Sequence, residues 1–175
     1  MDELKVSIKP GLELSKLEKD QINKAKSTEW NLADMDEEHL TKHLFVLVKD
    51  ANDQIVAQGQ LLPLQDVRFM GQKFSIIEIG GVVAHIKGQG YGSKMMEGVK
   101  QYLRENKKTG IGFTSMFISR FYAKCGFTIN KELLSQFPNH QEITGDLEQC
   151  VFYIDSEDHF VEKVLANPTE FVHLA

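Results

Sequence analysis

The chain has 175 residues, 42% hydrophobic and 26% charged, with a net charge of −5. That length suits one globular domain, and the composition excludes disorder. No apolar run approaches the roughly 20 residues of a membrane-spanning helix. The opening MDELKVSIKP has no apolar signal core, and Cys125 and Cys150 have no metal-ligand spacing. A cytoplasmic protein without metal, membrane or secretory function is therefore expected.

In chain order, Leu4, Val6 and Ile8 alternate with polar residues, so a short half-buried strand ends at Pro10-Gly11. Leu14, Leu17, Ile22 and Ala25 predict a helix over 13–26. Asp34 and Asp36 to Glu38 suit the start of a second helix, because acids complement its dipole. His43–Val48 and Gln54–Leu62 read as a hairpin ended by Pro63, with a loop over 64–72. Lys73–Val83 reads as a buried strand, and Gly80-Gly81 within it marks a bulge or a close backbone approach. After Lys87–Ser93, residues Met95, Met96, Val99 and Leu103 recur at helical spacing. Ile111–Phe117 predicts a strand, and Arg120–Cys125 a short helix closed by Gly126. Phe127–Ile129 and Gln149–Ile154 supply the last strands around a polar loop. A short helix and a loosely packed end follow over about 157–175. The order is that of an α+β fold, a central mixed, mostly antiparallel sheet flanked by helices.

Charge is unevenly spread. Residues 87–131 carry 9 bases and 2 acids, whereas 132–175 carry 1 base and 9 acids. A basic stretch in an acidic chain suits a polyanion of limited size, not a long nucleic acid. Solvation of an exposed helix face explains the same lysines.

Strand, glycine-rich turn, helix is a recipe for holding phosphate: the turn points backbone N–H groups outward and the helix N-terminus adds positive partial charge. Gly88-Gln89-Gly90-Tyr91-Gly92-Ser93-Lys94 matches neither G-x-x-x-x-G-K-[ST] nor G-x-G-x-x-G. Lys87-x-x-Gly90-x-Gly92 instead resembles the acyl-CoA pyrophosphate loop of the GNAT superfamily of N-acyltransferases, [QR]-x-x-G-x-[GA]. Phe121-Tyr122-Ala123-Lys124-Cys125-Gly126-Phe127, about 30 residues on, resembles that superfamily's F-Y-x-K-x-G-F segment. The resemblance covers residues 4–155 as one N-acetyltransferase domain and leaves 156–175 as a helix and tail. Lys87 replaces Arg or Gln and loses the planar fork. Ser115 stands where many members carry Asn, and Ala84 and Ile86 replace polar and Pro positions.

The resemblance implies an acetyl-CoA-dependent N-acetyltransferase, with acetyl-CoA as co-substrate and no metal. Its cofactor-binding residues would be Val82, Val83, Lys87, Gly88, Gln89, Gly90, Tyr91, Gly92, Ser93 and Ser115. A backbone N–H near Val83 would stabilise the tetrahedral oxyanion. Tyr122 would assist the departing thiolate, or merely pack its helix. Glu78 within Ile76-Ile77-Glu78-Ile79 is the candidate base, on the face of Val82 by period two; pairing with a basic side chain on a neighbouring strand is its alternative. Trp30 with Asp34, Asp36, Glu37 and Glu38 would suit a cationic amine, small molecule or peptide. No nucleic acid or membrane partner is expected, and a homodimer fits proteins of this kind. Acceptor specificity would come from loops near 26–38, 63–72 and 130–146. His39 and His43 lack a metal pattern, and His85 reads as an exposed loop residue near the acyl site. A non-catalytic acyl-CoA sensor is the alternative, and a nucleotide-binding regulator a third.

Overall fold

The computed structural model describes residues 3–140 and 148–174, the side chain of Asn139 excepted. They form a mixed α+β fold with an eight-stranded, mostly antiparallel sheet and flanking helices. The strands are β1 Lys5–Pro10, β2 Leu44–Lys49, β3 Ile55–Phe69, β4 Gln72–Ala84, β5 Thr109–Ser115, β6 Thr128–Asn130, β7 Gln149–Ile154 and β8 His173–Leu174. The helices are α1 Lys16–Trp30, α2 Glu37–Lys42, α3 Tyr91–Glu105, α4 Met116–Lys124 and α5 Phe160–Leu165. The chain divides into two compact units, Met1–Leu62 with Ile79–Tyr102, and Pro63–Glu78 with Leu103–Ala175. No described helix is long and apolar enough to cross a membrane.

In the first unit the strand order is β1-β2-β3-β4. β1 and β2 pair antiparallel from Lys5↔Lys49 to Pro10↔Leu44. A capping box sets the start of α1 three residues later than the spacing predicts. Ser15 Oγ accepts from the Glu18 amide at 3.2 Å, and Glu18 Oε2 accepts from the Ser15 amide at 2.7 Å. Gly11–Glu13 is a separate 3-10 turn. Asp36 caps α2, accepting from the His39 amide at 2.8 Å, as the acidic run predicts. Leu14, Ile22, Phe45, Leu47 and Ile55 form a core in this unit.

In the second unit the order is β3-β4-β5-β7-β6, with β8 pairing β3. Val67, Phe69, Phe74, Ile76, Ile111, Leu133, Phe137, Val151 and the buried face of α5 make its core. Pro63 does not end β3, contrary to expectation. Pairing with β2 stops at Leu61 and pairing with β8 begins at Val67, so the missing N–H of Pro63 leaves no bond unmade on that side. The expected loop over 64–72 is strand up to a two-residue turn, Met70-Gly71, with φ of 48° and 75°. The expected strand through Phe117 stops at Ser115, where the Met116 amide turns to the Glu148 carbonyl at 2.8 Å and α4 begins.

The polar loop after β6 contains two 3-10 turns, Glu132–Gln136 and Pro138–His140, that bury Leu133 and Phe137. Residues 141–146 of the proposed specificity loop lie outside the described residues. The C-terminal end is not loosely packed: Gln136 Nε2 donates to the carbonyls of Val164, Asn167 and Glu170 at 2.9, 2.9 and 3.0 Å. Val172 is 1% exposed, because its amide donates to the Gln136 carbonyl at 2.8 Å.

Candidate active site

In the first unit the glycine loop leaves β4 and enters α3. Gly88 and Gly90 have φ of 80° and 78°, and a Cβ at either would meet nothing within 4 Å. Their requirement for glycine is therefore backbone conformation, with open space over the turn. Lys87, Gln89 and Ser93 are exposed and Tyr91 half-buried, while Gly92, in the first turn of α3, is buried. The first turn of α3 carries no acid, so nothing there opposes an anion. Lys87 Nζ pairs with Glu29 Oε1 at 2.8 Å, and a diphosphate at this position would have to replace that carboxylate.

Gly81 has φ of 59° within β4, a left-handed backbone that suits glycine. Period-two alternation cannot be carried from Glu78 through that residue to Val82. Val83 is buried and Val82 half-buried. A Cβ at Gly81 would lie 2.9 Å from Gln60 Cδ, so the Gln60 amide rests directly on the Gly81 backbone.

Around that point the first unit holds polar groups that sequence reasoning passed over. Gln58 and Gln60 are buried in β3, 1% and 7% exposed. Gln58 Nε2 donates to the Ile22 carbonyl at 3.3 Å, so its Oε1 faces His85 and accepts from Nε2–H at 2.9 Å. His85 is thus a half-buried, anchored residue, not an exposed one; its amide also donates to the Val56 carbonyl at 2.9 Å. Gln60 Oε1 accepts from His39 Nε2–H at 2.9 Å. The His39 and His43 rings stack with centroids 3.9 Å apart, and His43 Nδ1–H donates to the His39 carbonyl. Burial and the neighbouring His43 push the His39 imidazole below its usual value. Burial does the same for His85. The signal in the sequence was a pair of glutamines two apart inside an otherwise apolar strand.

The second unit holds Glu78, Ser115 and Tyr122. Tyr122 is 7% exposed and its ring stacks on Phe152 with centroids 3.7 Å apart. The helix end beneath it follows from sequence. The Gly126 amide donates to Ala123 at 3.0 Å and the Phe127 amide to Tyr122 at 3.1 Å, the bond pair of a Schellman cap. Burial raises the Tyr122 phenol well above its ordinary value, and Cys125 and Cys150 add to the effect. Both cysteines are buried, and neither is in a disulfide. Ser115 is buried at the start of α4 and makes no side-chain capping bond.

Glu78 is half-buried, with a side chain 28% exposed, and lies 3.6 Å from His140 Nε2. The pairing alternative considered for Glu78 is thus present, though its partner comes from a 3-10 turn instead of a strand. His140 stacks on Phe113 with centroids 4.0 Å apart, and its buried Nδ1 has no hydrogen-bond partner among the described residues. No sequence pattern pointed to His140.

The family model described as an acetyltransferase (GNAT) domain matches residues 18–130. No curated protein matches the chain. Among solved structures, an acyl-CoA N-acyltransferase from Pseudomonas aeruginosa is similar with a TM-score of 0.63 and 15% identity, over 86% of this chain and 99% of that one. A GNAT-family N-acetyltransferase (YhbS) from Escherichia coli, in complex with CoA, has a TM-score of 0.65 and 12% identity over 99% of this chain and 89% of its own.

Proposed function

The chain belongs to the GNAT acetyltransferase family, and from that premise we propose that it moves an acetyl group from acetyl-CoA to an amine. The observation that carries this reading is the open loop at Gly88 and Gly90 leading into an acid-free α3 N-terminus. Backbone N–H groups of Gly88 to Ser93 hold the diphosphate, with Lys87 exchanging Glu29 for phosphate. Lys87 supplies charge without the bidentate geometry of arginine.

In the reaction the amine nitrogen attacks the thioester carbonyl, a C–N bond forms and the C–S bond breaks. A backbone N–H near Val82 and Val83, next to the left-handed Gly81, donates to the oxyanion. Glu78 takes the proton that the amine must lose, with His140 holding the carboxylate. Tyr122 donates a hydrogen bond to the departing thiolate. Its raised phenol keeps the proton at every working pH, so the donor is always in place while full transfer to a thiolate stays uphill. The acidic run Asp34 and Asp36 to Glu38 favours a cationic acceptor.

Calorimetric titration with acetyl-CoA, with ATP and NAD as controls, tests the reading. Selective micromolar binding followed by thiol release with amines is the expected result. Equal binding of ATP, or none of acetyl-CoA, would remove the transferase assignment. Binding without turnover over a broad amine panel would leave an acyl-CoA sensor.

A further inference from the structure

Gln60 lies on β3 and is 7% exposed. Its side-chain oxygen is taken, because Oε1 accepts from His39 Nε2–H at 2.9 Å. An amide held by its oxygen turns its nitrogen the other way, and that nitrogen carries two N–H donors. Their one partner among the described residues is the Met35 thioether, with Sδ at 4.0 Å. A thioether is a weak acceptor and takes one donor at most, so a strong donor is left over in a nine-tenths-buried side chain. Gln58 shows the contrast: its nitrogen donates to the Ile22 carbonyl and its oxygen accepts from His85.

The Gln60 nitrogen faces the backbone of β4. A Cβ at Gly81 would lie 3.2 Å from Nε2, so the amide lies in the space that a side chain there would need. The next amide along the chain is that of Val82. A Cβ at Gly80 would meet nothing within 4 Å among the described residues, and Gly80, Gly81 and Val82 are half-buried, so this stretch of strand keeps room for a ligand. His39 is itself fixed: Asp36 accepts from its amide at 2.8 Å, and its ring stacks on His43 with centroids 3.9 Å apart. All of these residues belong to the first unit.

We propose that Gln60 is a catalytic residue whose amide N–H donates to the carbonyl oxygen of the acyl thioester, beside the backbone N–H near Val82, and that His39 positions it. The proposal rests on the transferase reading and deepens it by adding a side-chain donor to the oxyanion site. As the amine nitrogen attacks, the carbonyl π pair moves onto oxygen and two donors share the charge. When the C–S bond breaks, the pair returns to the carbonyl and the thiolate departs. Gln60 gives up no proton. His39 Nε2–H holds Oε1 and polarises the amide, which strengthens its N–H as a donor.

Infrared difference spectra with unlabelled and carbonyl-13C acetyl-CoA read the thioester C=O stretch without any acceptor. Wild type should lower the stretch relative to free acetyl-CoA. Gln60→Met removes the donor, and Gln60→Glu keeps an oxygen for His39 while replacing the nitrogen. Both should move the stretch back towards the free value, with acetyl-CoA affinity by calorimetry unchanged. In thiol-release assays with the fastest amine of a panel of polyamines, aminoglycosides, amino acids and peptides, both should lower kcat about a hundredfold or more at unchanged amine KM. His39→Ala should lower kcat too, and His39→Gln, which can still donate to Gln60, should restore most of it. The same C=O stretch in wild type and both Gln60 variants overturns the proposal. So does a kcat within about twofold of wild type, or an effect confined to amine KM. Loss of acetyl-CoA binding in both variants would make Gln60 structural, and wild-type kcat in His39→Ala would remove the positioning role. Wild-type protein that does not bind acetyl-CoA defeats the transferase reading instead.

Discussion

The Tyr122 ring lies flat on the Phe152 ring, centroids 3.7 Å apart and planes 9° from parallel. Phe152 is held there from the opposite strand, in register with Gly112, where a Cβ would come 2.0 Å from its ring Cζ. A residue with no side chain on β5 therefore decides where the α4 tyrosine sits. Gly112→Ala should displace Phe152, destabilise the fold by about 1–3 kcal/mol and lower kcat through Tyr122. Thermal unfolding together with turnover checks this; an unchanged Tm would show that Phe152 has room to move.

Tyr122→Phe keeps the ring on Phe152 and removes only the hydroxyl, so folding should be unaffected. Turnover should fall about tenfold or more, with acetyl-CoA affinity unchanged. Because burial raises the phenol, the wild-type pH–rate profile should have no alkaline limb from its ionisation near 10. A kcat within about twofold of wild type would take Tyr122 out of the chemistry.

Glu78 and His140 can be separated by two variants. If Glu78 receives the amine's proton, Glu78→Gln should depress kcat about a hundredfold or more, whereas His140→Ala should lose less. Equal losses of stability in both variants, with kcat intact, would make the 3.6 Å pair purely structural.

Gly90→Ala places a Cβ in open space but at φ of 78°, where an L side chain costs about 1 kcal/mol. The strain falls on the loop alone. Acetyl-CoA affinity should weaken about tenfold while the helical circular dichroism stays constant. Unchanged affinity would mean that the loop does not hold the diphosphate.

Burial pushes the Glu18 carboxyl up, but Lys9, the Ser15 amide and Lys49 outweigh it and hold it at about 2, below its ordinary 4.5. A depressed carboxylate stabilises the fold above its unfolded value and loses that contribution as pH falls from 4.5 towards 2. The contribution is about 3 kcal/mol at neutral pH. Glu18→Gln should therefore be less stable than wild type at pH 7 and nearly equal to it near pH 2. Parallel stability curves over that range would refute the linkage.

Much of the fold was legible because it depends on local chemistry. The acids before α2, the glycine pair in β4, the glycine loop and the cap at Gly126 each act within a few residues of themselves. Where expectation failed, a distant partner decided. Pro63 continues a strand because β2 and β8 leave its edge unpaired, and Met116 begins a helix because its amide finds Glu148. Those partners lie far along the chain, beyond the reach of periodicity.

By itself the sequence determined the family, through two motifs whose spacing expresses backbone requirements, and from that the class of reaction. The tertiary structure decided the state of the side chains. It buried Glu18 and gave it two lysines, set Gln60 between His39 and Gly81, and put Glu78 beside His140. The physical reason is that desolvation and pairing depend on which groups the fold packs together, and in a linear chain a buried, paired glutamate and an exposed one are written with the same letter.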